Sequence, residues 1–243
     1  MTDRQSAKQR IEEQAIAEFE AKPRDSGVRR TGVAYFGHEH EVAPTDRWIV
    51  VVPVKGTAAA KSRLEASPEL ATAIALDTVD AAAAAPGVQA VIVVTAAEAA
   101  VAFDETDAFI IFEEEPGLAA SLALGLETAA TFAAPGLGIA VMLGDLPALL
   151  PEELGGALAL ASGHPRAMVR DAAGTGTTLV TAADGQTHAL AFGAGSAAAH
   201  LAAGYVELDL DARSGLRCDV DTPDDLAALA GRLGARTASL LAG

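Results

Sequence analysis

The sequence is poor in positive charge. Its 243 residues include 17 lysines and arginines against 33 aspartates and glutamates, so the formal net charge is -16. Proteins that bind nucleic acid present a basic face to the phosphate backbone, and this balance argues against a nucleic-acid partner. Any anionic ligand must therefore be met locally, by a few cations, by helix N-termini or by metal ions.

Cysteine and long apolar runs are also scarce. The single cysteine, Cys218, excludes a disulfide framework within the chain. No apolar run reaches the roughly 18 residues that a membrane-spanning helix needs, and the first residues lack the apolar core of a signal peptide. We therefore expect a cytoplasmic protein without a membrane partner. Nothing in the composition decides the oligomeric state, and a homodimer stays open.

The first 46 residues differ in composition from the rest of the chain. They carry 7 of the 17 lysines and arginines, and weak helical spacing within them is followed by the helix-breaking stretch "KPRDSG". We predict that residues 1–46 are an N-terminal extension that is partly helical or mobile. Residues 47–243 then form the functional domain.

From Trp48 onward, short apolar runs alternate with helical patterns. The runs "WIVVVPV", "VQAVIVVT", "AFIIF" and "GIAVMLGD" predict strands that are covered on both faces. "RAMVRD" and "TTLVTA" predict an antiparallel pair, and "THALAF" and "YVELDL" two further strands. This alternation predicts an α/β fold, with a mainly parallel sheet sandwiched by helices. Such sheets bind ligands beyond the carboxyl ends of their strands.

Three cations cluster directly after the first of these strands, in "VVPVKGTAAAKSRL". Lys55 follows the apolar run, Gly56 allows close backbone approach to a ligand, and Lys61 and Arg63 lie in the same connection. Cations at the carboxyl end of a strand favour a phosphate-binding loop. The alternative is a solvated basic loop, and the order of a P-loop motif is absent.

Aspartates follow two later segments. Asp145 ends the strand "GIAVMLGD", and Asp219 and Asp221 alternate in "LRCDVD", so both face one side of an extended segment. Carboxylates that share a site repel each other unless a cation lies between them, and Mg²⁺ prefers oxygen ligands. We predict that the three aspartates hold one or two Mg²⁺ ions. Helix capping is the alternative for each.

Two glycine-rich turns, "DAAGTGTTLV" and "AFGAGSAAAH", predict a second anion site. Thr177 and Thr178 begin a strand after the first turn. Gly193 exposes backbone amide groups in the second turn, where Ser196 begins a helix. Turn chemistry alone is the alternative, and "GAGSAA" also matches the weak dinucleotide fingerprint. In a third stretch, "EEEPGLAASLALGL", Gly117 and Ser121 could approach a base or a ribose.

These six motifs, in their order along the chain, resemble the guanylyltransferases that make the deazaflavin coenzyme F-420, which use phosphoenolpyruvate or 2-phospho-L-lactate. The resemblance spans roughly Trp48 to Leu233, so residues 1–46 are additional. It implies a Rossmann-like nucleotidyltransferase fold related to the nucleotide-diphospho-sugar transferases. Ala119 and Ala120 stand where related enzymes often carry a polar residue near the nucleotide, so backbone groups could read the base here.

The resemblance also implies a reaction and a role for each candidate residue. GMP would pass from GTP to the phosphate of the three-carbon acid, and pyrophosphate would leave. The alternatives are a nucleotidyltransferase that acts on a sugar phosphate or molybdopterin, a dinucleotide-binding protein, and a catalytically silent nucleotide-binding regulator. The implied catalytic residues are Lys55, Lys61 and Asp145; the nucleotide-binding residues are Lys55, Gly56, Lys61, Arg63, Gly117 and Ser121; the acid-binding residues are Thr177, Thr178, Gly193 and Ser196; and the Mg²⁺ ligands are Asp145, Asp219 and Asp221.

Overall fold

The computed structural model describes residues 45–54, 67–113 and 117–242. Within them the chain forms a seven-stranded sheet with helices packed against it. The strands are β1 (Arg47–Pro53), β2 (Val88–Thr95), β3 (Phe109–Phe112), β4 (Leu137–Met142), β5 (Arg166–Arg170), β6 (Thr177–Ala182) and β7 (Val206–Glu207). The helices are α1 (Pro68–Ala83), α2 (Ala97–Ala100), α3 (Leu118–Thr131), α4 (Pro151–Ala161), α5 (Ser196–Ala202), α6 (Pro223–Ala228) and α7 (Ala235–Leu241), with 3₁₀ turns at Val101–Phe103 and Gly215–Arg217.

The strands lie in the order β3-β2-β1-β4-β6-β5-β7. β1 is parallel to β2 and β4, β2 is parallel to β3, and β5 is parallel to β7. β6 pairs antiparallel with both of its neighbours, β4 and β5. Among the described strands, β6 alone therefore runs in the opposite direction. The predicted mainly parallel sheet and its antiparallel pair are both confirmed.

Helices cover both faces of the central strand β1. The side chain of Val50 is fully buried in an apolar cluster that includes Val79 of α1. On the other face, α3 lies so close that a Cβ atom on Gly125 would come within 2.4 Å of the Val51 side chain. Only glycine permits this approach. Burial on both faces explains why the strand is continuously apolar.

Helix α6 begins at a capping residue whose side chain and backbone both form hydrogen bonds. Thr222 caps α6: its Oγ1 accepts from the Asp225 backbone N–H at 3.2 Å, and the Asp225 carboxylate accepts from the Thr222 N–H at 2.8 Å. This reciprocal pair is a capping box with aspartate in place of the usual glutamate. It fixes the start of α6 immediately after Asp221.

Two predicted strands differ from the structure. Residues 187–192 ("THALAF") form no strand, and "YVELDL" pairs with β5 only through Val206–Glu207. In the first segment, the Ala189 N–H donates to the Tyr205 hydroxyl at 2.9 Å, and the Ala191 N–H donates to His200 Nε2 at 3.0 Å. Side chains thus satisfy these amides in place of a neighbouring strand, which local periodicity does not reveal.

The predicted helix within residues 1–46 lies outside the described residues. In the part of the chain that the structure describes, no helix is both long and apolar enough to span a bilayer. The longest described helix, α1, has 16 residues, which is below the length that a bilayer core requires.

Candidate active site

A cavity of about 640 Å³ lies at the edge of the sheet where β1 and β4 end. Pro53 and Val54, at the end of β1, line it together with Asp145, which follows β4. Because β6 runs against β4, its first residue, Thr177, lies at this same edge and also lines the cavity. The cavity occupies the place where open α/β sheets ordinarily bind ligands.

Asp145, Asp219 and Asp221 line one side of the cavity, which we call the acidic wall. The Val220 N–H donates to the backbone carbonyl of Asp145, with an N···O distance of 3.0 Å. This hydrogen bond joins the loop after β4 to the segment that precedes α6. Two acidic motifs that are far apart in the sequence therefore meet in the fold.

Gly215 allows the segment that carries Asp219 and Asp221 to pack closely against the loop after β4. A Cβ atom at this position would lie 1.9 Å from the Ala148 carbonyl oxygen, so any other residue would push the segment away. The Gly215 N–H also donates to the Glu153 carboxylate, at 3.0 Å to each oxygen. Glu153 belongs to the first turn of α4 and accepts from the Leu150 N–H as well. The acidic wall is thus anchored by backbone contacts.

Asp219 carries the clearest electrostatic signature of the site. The pKa of Asp219 is raised from 3.8 to about 7, mainly by burial and then by the negative charges of Asp145, Asp171 and Asp221, in that order of effect. Each of these carboxylates disfavours the ionised form of its neighbour. A bound cation would relieve this repulsion, so the perturbed group marks a candidate functional site.

Asp171 is a cavity residue that the sequence reasoning missed. It follows β5, and its carboxylate accepts from the backbone N–H groups of Thr175 and Gly176 at 2.9 and 2.7 Å. These bonds close the turn that leads into β6. The available signal was the aspartate itself, directly after a strand and five residues before Gly176. Because β5 and β4 point the same way, this aspartate reaches the same edge of the sheet.

The carboxylates of the acidic wall suit a hard divalent cation. Mg²⁺ is usually held by one or two carboxylates, with waters and substrate phosphates as its other ligands. Over residues 45–54, 67–113 and 117–242, no three histidine, cysteine, aspartate or glutamate side chains form a ready-made metal cluster. The raised pKa of Asp219 nevertheless fits a cation site in which protein carboxylates supply some of the ligands and the phosphates of a substrate supply the others.

Thr177, Gly193 and Ser196 also line the cavity, and we call this group the hydroxyl wall. The Thr177 and Ser196 side chains are buried, and the Ser196 hydroxyl donates to Thr177 Oγ1 at 3.3 Å. The Ser196 N–H donates to the Gly193 carbonyl at 3.1 Å. The two glycine-rich turns, predicted separately as anion-binding elements, therefore form one surface.

His200 lies behind the hydroxyl wall and is fully buried. Its Nδ1 is 3.0 Å from Thr177 Oγ1, and its Nε2 accepts from the Ala191 N–H at 3.0 Å. Burial lowers the pKa of His200, although a hydrogen bond with the Ser196 backbone opposes this effect. The sequence shows only a lone histidine in an alanine-rich helix, which is no signal for such a role.

The dinucleotide interpretation of "GAGSAA" lacks its structural context. That fingerprint requires a strand immediately before the glycines and a helix after them. Residues 187–192 form no strand, and α5 contains only seven residues. Gly193 and Gly195 have φ angles of +124° and +73°, conformations that favour glycine. The glycines therefore shape the hydroxyl wall within an irregular loop.

Curated relatives decide the family. No family model matches the chain. The phosphoenolpyruvate guanylyltransferase of Streptomyces coelicolor is 48% identical over 205 residues, which cover 81% of this chain and 96% of the relative. The chain belongs to the phosphoenolpyruvate guanylyltransferase family. It is accordingly a nucleotidyltransferase, and the enzyme class expected from the six motifs is confirmed.

Solved structures support the fold that this guanylyltransferase family implies. A nucleotide-diphospho-sugar transferase from Desulfovibrio desulfuricans G20 matches with a TM-score of 0.57 at 16% identity, covering 80% of this chain and 94% of that one. Rv0371c from Mycobacterium tuberculosis H37Rv, solved in complex with manganese, matches with a TM-score of 0.52 at 23% identity over 76% and 98% of the two chains. The predicted nucleotide-diphospho-sugar-transferase-like fold is confirmed.

Three residues assigned through the guanylyltransferase family lie off the cavity surface. The Thr178 side chain is fully buried in β6, which fits the alternation of side chains along a strand beside Thr177. Gly117 and Ser121 are absent from the lining, although their neighbour Leu118 is part of it. The Ser121 hydroxyl donates to the Glu113 carboxylate and lies 3.0 Å from the Gly117 carbonyl. These roles stay predictions.

The four remaining family-derived residues, Lys55, Gly56, Lys61 and Arg63, lie outside the described residues. The described chain stops at Val54 on the cavity and resumes at Ser67. Their predicted contacts with a nucleotide therefore stay predictions as well.

Proposed function

We propose that the protein transfers GMP from GTP to the phosphate of phosphoenolpyruvate and releases pyrophosphate, in the synthesis of coenzyme F-420. One observation carries this proposal: a single cavity of about 640 Å³ is lined both by the acidic wall and by the hydroxyl wall. A cation on the first wall and amide or hydroxyl donors on the second suit two anionic substrates that must lie side by side. Membership of the guanylyltransferase family supports the choice of nucleotide and acid.

The proposed reaction is an in-line displacement at the α-phosphorus of GTP. A phosphate oxygen of phosphoenolpyruvate forms the new bond, and the bond between the α-phosphorus and the bridging oxygen breaks as pyrophosphate leaves. The attacking oxygen is already ionised at neutral pH, so the reaction requires no strong base. Catalysis then depends on positioning and on neutralising the charge of the phosphates.

Asp145 and Asp219 are the residues that would hold a divalent cation, with Asp221 at the exposed end of the acidic wall. When bound, such an ion neutralises the charge of the phosphates and helps to orient them. We propose Mg²⁺ because the ligands are carboxylates. Asp171 contributes to the negative potential, while its carboxylate is held by two amides of its own turn.

The opposite ends of the two substrates have separate proposed sites. Lys55, Gly56, Lys61 and Arg63 would meet the triphosphate, and Gly117 and Ser121 would lie nearer the base or ribose. Thr177, Gly193 and Ser196 would bind the phosphorylated acid through donors on the hydroxyl wall. Thr178, whose side chain is buried in β6, would act with these residues in binding the acid. We propose the cytoplasm as the place of this reaction.

The test supplies purified protein with GTP, Mg²⁺ and one acceptor at a time. The acceptors are phosphoenolpyruvate, 2-phospho-L-lactate, glucose 1-phosphate and molybdopterin, and ATP and CTP replace GTP in matched reactions. Mass spectrometry detects the guanylylated acid, and a coupled assay measures pyrophosphate. The proposal expects product from GTP with phosphoenolpyruvate. Product from a sugar phosphate or molybdopterin alone would contradict it.

A further inference from the structure

His200 contacts the two segments that carry the hydroxyl wall, the start of β6 and the loop before Gly193, but it does not line the cavity itself. Its Nδ1 faces the Thr177 hydroxyl at the start of β6, and its Nε2 faces the backbone of Ala191, two residues before Gly193. The ring is fully buried and packs edge-on against Phe192 and Tyr205. These contacts hold the ring in one orientation between the two polar partners.

The hydrogen bonds define which nitrogen carries the proton. A backbone N–H can only donate, so the Ala191 amide requires Nε2 to be an acceptor. The ring is then neutral, and its single proton is on Nδ1. Burial lowers the pKa of His200, which favours this neutral state. The Nδ1–H, which also has the Ser196 backbone as a partner, therefore faces Thr177 Oγ1 as a donor, at 3.0 Å.

This assignment leaves one role for the Thr177 hydroxyl proton. A hydroxyl group has two lone pairs and one proton. The oxygen accepts from His200 Nδ1–H and from the Ser196 hydroxyl at 3.3 Å, which uses both lone pairs. The Thr177 oxygen can then accept no further hydrogen bond, and its O–H is the only group it can offer to a ligand. Thr177 lines the cavity. A hydroxyl donor on the cavity lining suits a phosphate or carboxylate oxygen.

We propose that His200 is a positioning residue that fixes the Thr177 hydroxyl as a hydrogen-bond donor toward an anionic oxygen of the phosphorylated acid. The inference rests on the proposed function, because it concerns how that acid is bound. Without the histidine donor, the Thr177 hydroxyl can rotate, so its proton is no longer fixed in one direction. The expected cost is about tenfold in affinity for the acid, the scale of one charge-assisted hydrogen bond.

Two substitutions separate the two contacts of the ring. In His200→Asn, the side-chain amide ends near the position of Nδ1 and keeps a donor for Thr177. In His200→Gln, the amide ends near the position of Nε2 and keeps an acceptor for Ala191. Both variants lose the ring, so they serve as controls for each other's packing. We expect acid affinity within about threefold of wild type for His200→Asn and about tenfold weaker for His200→Gln.

The readout is binding of phosphoenolpyruvate by calorimetry, with the KM for GTP as a second measurement. The KM for GTP should stay unchanged in both variants, because the hydroxyl wall serves the acid. Equal loss of acid affinity in the two variants would overturn the proposal. A parallel rise in the KM for GTP would also overturn it, since that result indicates a general structural role.

A double substitution tests whether His200 acts through Thr177. Thr177→Val removes the hydroxyl and keeps the shape of the side chain. If the histidine works through this hydroxyl, His200→Gln should add no further loss of acid affinity in the Thr177→Val background. Additive losses would contradict the inference. Circular dichroism and thermal melting of each variant report whether the fold is retained.

An NMR measurement tests the proton assignment without any activity. ¹⁵N-histidine labelling distinguishes the two neutral tautomers, and the His200→Asn spectrum identifies the His200 signals among those of the five histidines. We expect a neutral ring with the proton on Nδ1. A proton on Nε2 would overturn the proposal even in an active enzyme. Conversely, a wild-type protein that binds no phosphorylated acid would overturn the proposed function, while the NMR result still decides the direction of the hydrogen bond.

Discussion

The acidic wall and the hydroxyl wall of the cavity differ in how their polar groups are satisfied. On the acidic wall, neighbouring carboxylates repel one another, and the pKa of Asp219 rises to about 7. On the hydroxyl wall, Thr177, Ser196 and His200 already form hydrogen bonds with each other. The first wall gains from a cation, whereas the second is arranged before any ligand arrives. Substitutions on the two walls should therefore have different consequences.

The largest effect is expected on the acidic wall. Asp145→Asn removes one negative charge but keeps the size of the side chain, so the protein should fold normally. We expect turnover to fall about 10²- to 10³-fold, the usual cost of losing one electrostatic partner in a reaction of this kind. The measurement is the rate of pyrophosphate release with GTP, Mg²⁺ and phosphoenolpyruvate. Wild-type turnover in this variant would remove Asp145 from the site.

The junction between the two acidic segments is the next target. Gly215→Ala places a Cβ atom against the Ala148 carbonyl and should move Asp219 away from Asp145. We expect a loss of about 1–3 kcal/mol in the free energy of unfolding and a fall in turnover, measured by chemical denaturation and by the same assay.

Gly156→Ala is the matched control for this junction. A Cβ atom at Gly156 meets no atom within 4 Å, and the residue lies inside α4. This variant should be more stable by up to about 1 kcal/mol, because alanine favours a helix, and its turnover should not change. Equal behaviour of the two alanine variants would show that the close contact at Gly215 is unimportant.

A smaller effect concerns the pH dependence of stability. The pKa of Asp219 is about 7 in the folded protein, against an ordinary value of 3.8 for the unfolded chain. The folded state therefore binds more protons than the unfolded state between these two pH values. Stability from this group is present below pH 4 and is lost as the pH rises toward 7. With a chelator present, the free energy of unfolding of Asp219→Asn should increasingly exceed that of the wild type as the pH rises over this range.

The same pair of proteins, wild type and Asp219→Asn, can be compared with Mg²⁺ present. At pH 8, added Mg²⁺ should raise the melting temperature of the wild type more than that of Asp219→Asn, because the ion binds the folded carboxylates. Chemical denaturation at several pH values and thermal melting with Mg²⁺ provide the two measurements. Parallel curves for the two proteins would argue against a cation at Asp219.

The smallest effect on stability is expected from substitution of His188, which contacts Tyr205. Burial lowers its pKa to about 4, and its ring contacts the Ile139 carbonyl and the Tyr205 hydroxyl, each at 3.1 Å. The unfolded state binds more protons between pH 4 and 6.5, so stability falls as the pH drops through this range. His188→Gln should flatten this fall, by at most about 1.4 kcal/mol per pH unit. Denaturation midpoints at pH 4 to 7 test it, and an unchanged slope would contradict it.

The local pattern of the chain was enough to predict most elements of the sheet and several residues that the structure places on one cavity, among them Asp145, Asp219 and Thr177. Continuously apolar runs such as that of β1 identify strands covered on both faces, and glycines and aspartates directly after strands identify one edge of the sheet. One failure has a clear physical cause. Residues 187–192 look like a strand, but the side chains of Tyr205 and His200, distant in sequence, take up their amide groups.

The sequence by itself determined the α/β class, the family and the residue types available for an anion-binding, metal-assisted site, because these depend on local periodicity and short motifs. Only the tertiary structure decided that Asp171 lies on the same cavity as the acidic wall and that His200 contacts Thr177. It also separated Thr177 from Thr178, placing the first on the cavity and the second in the core. The reversed direction of β6 and the bond between Val220 and Asp145 create these neighbours, and no local pattern records contacts between segments so far apart.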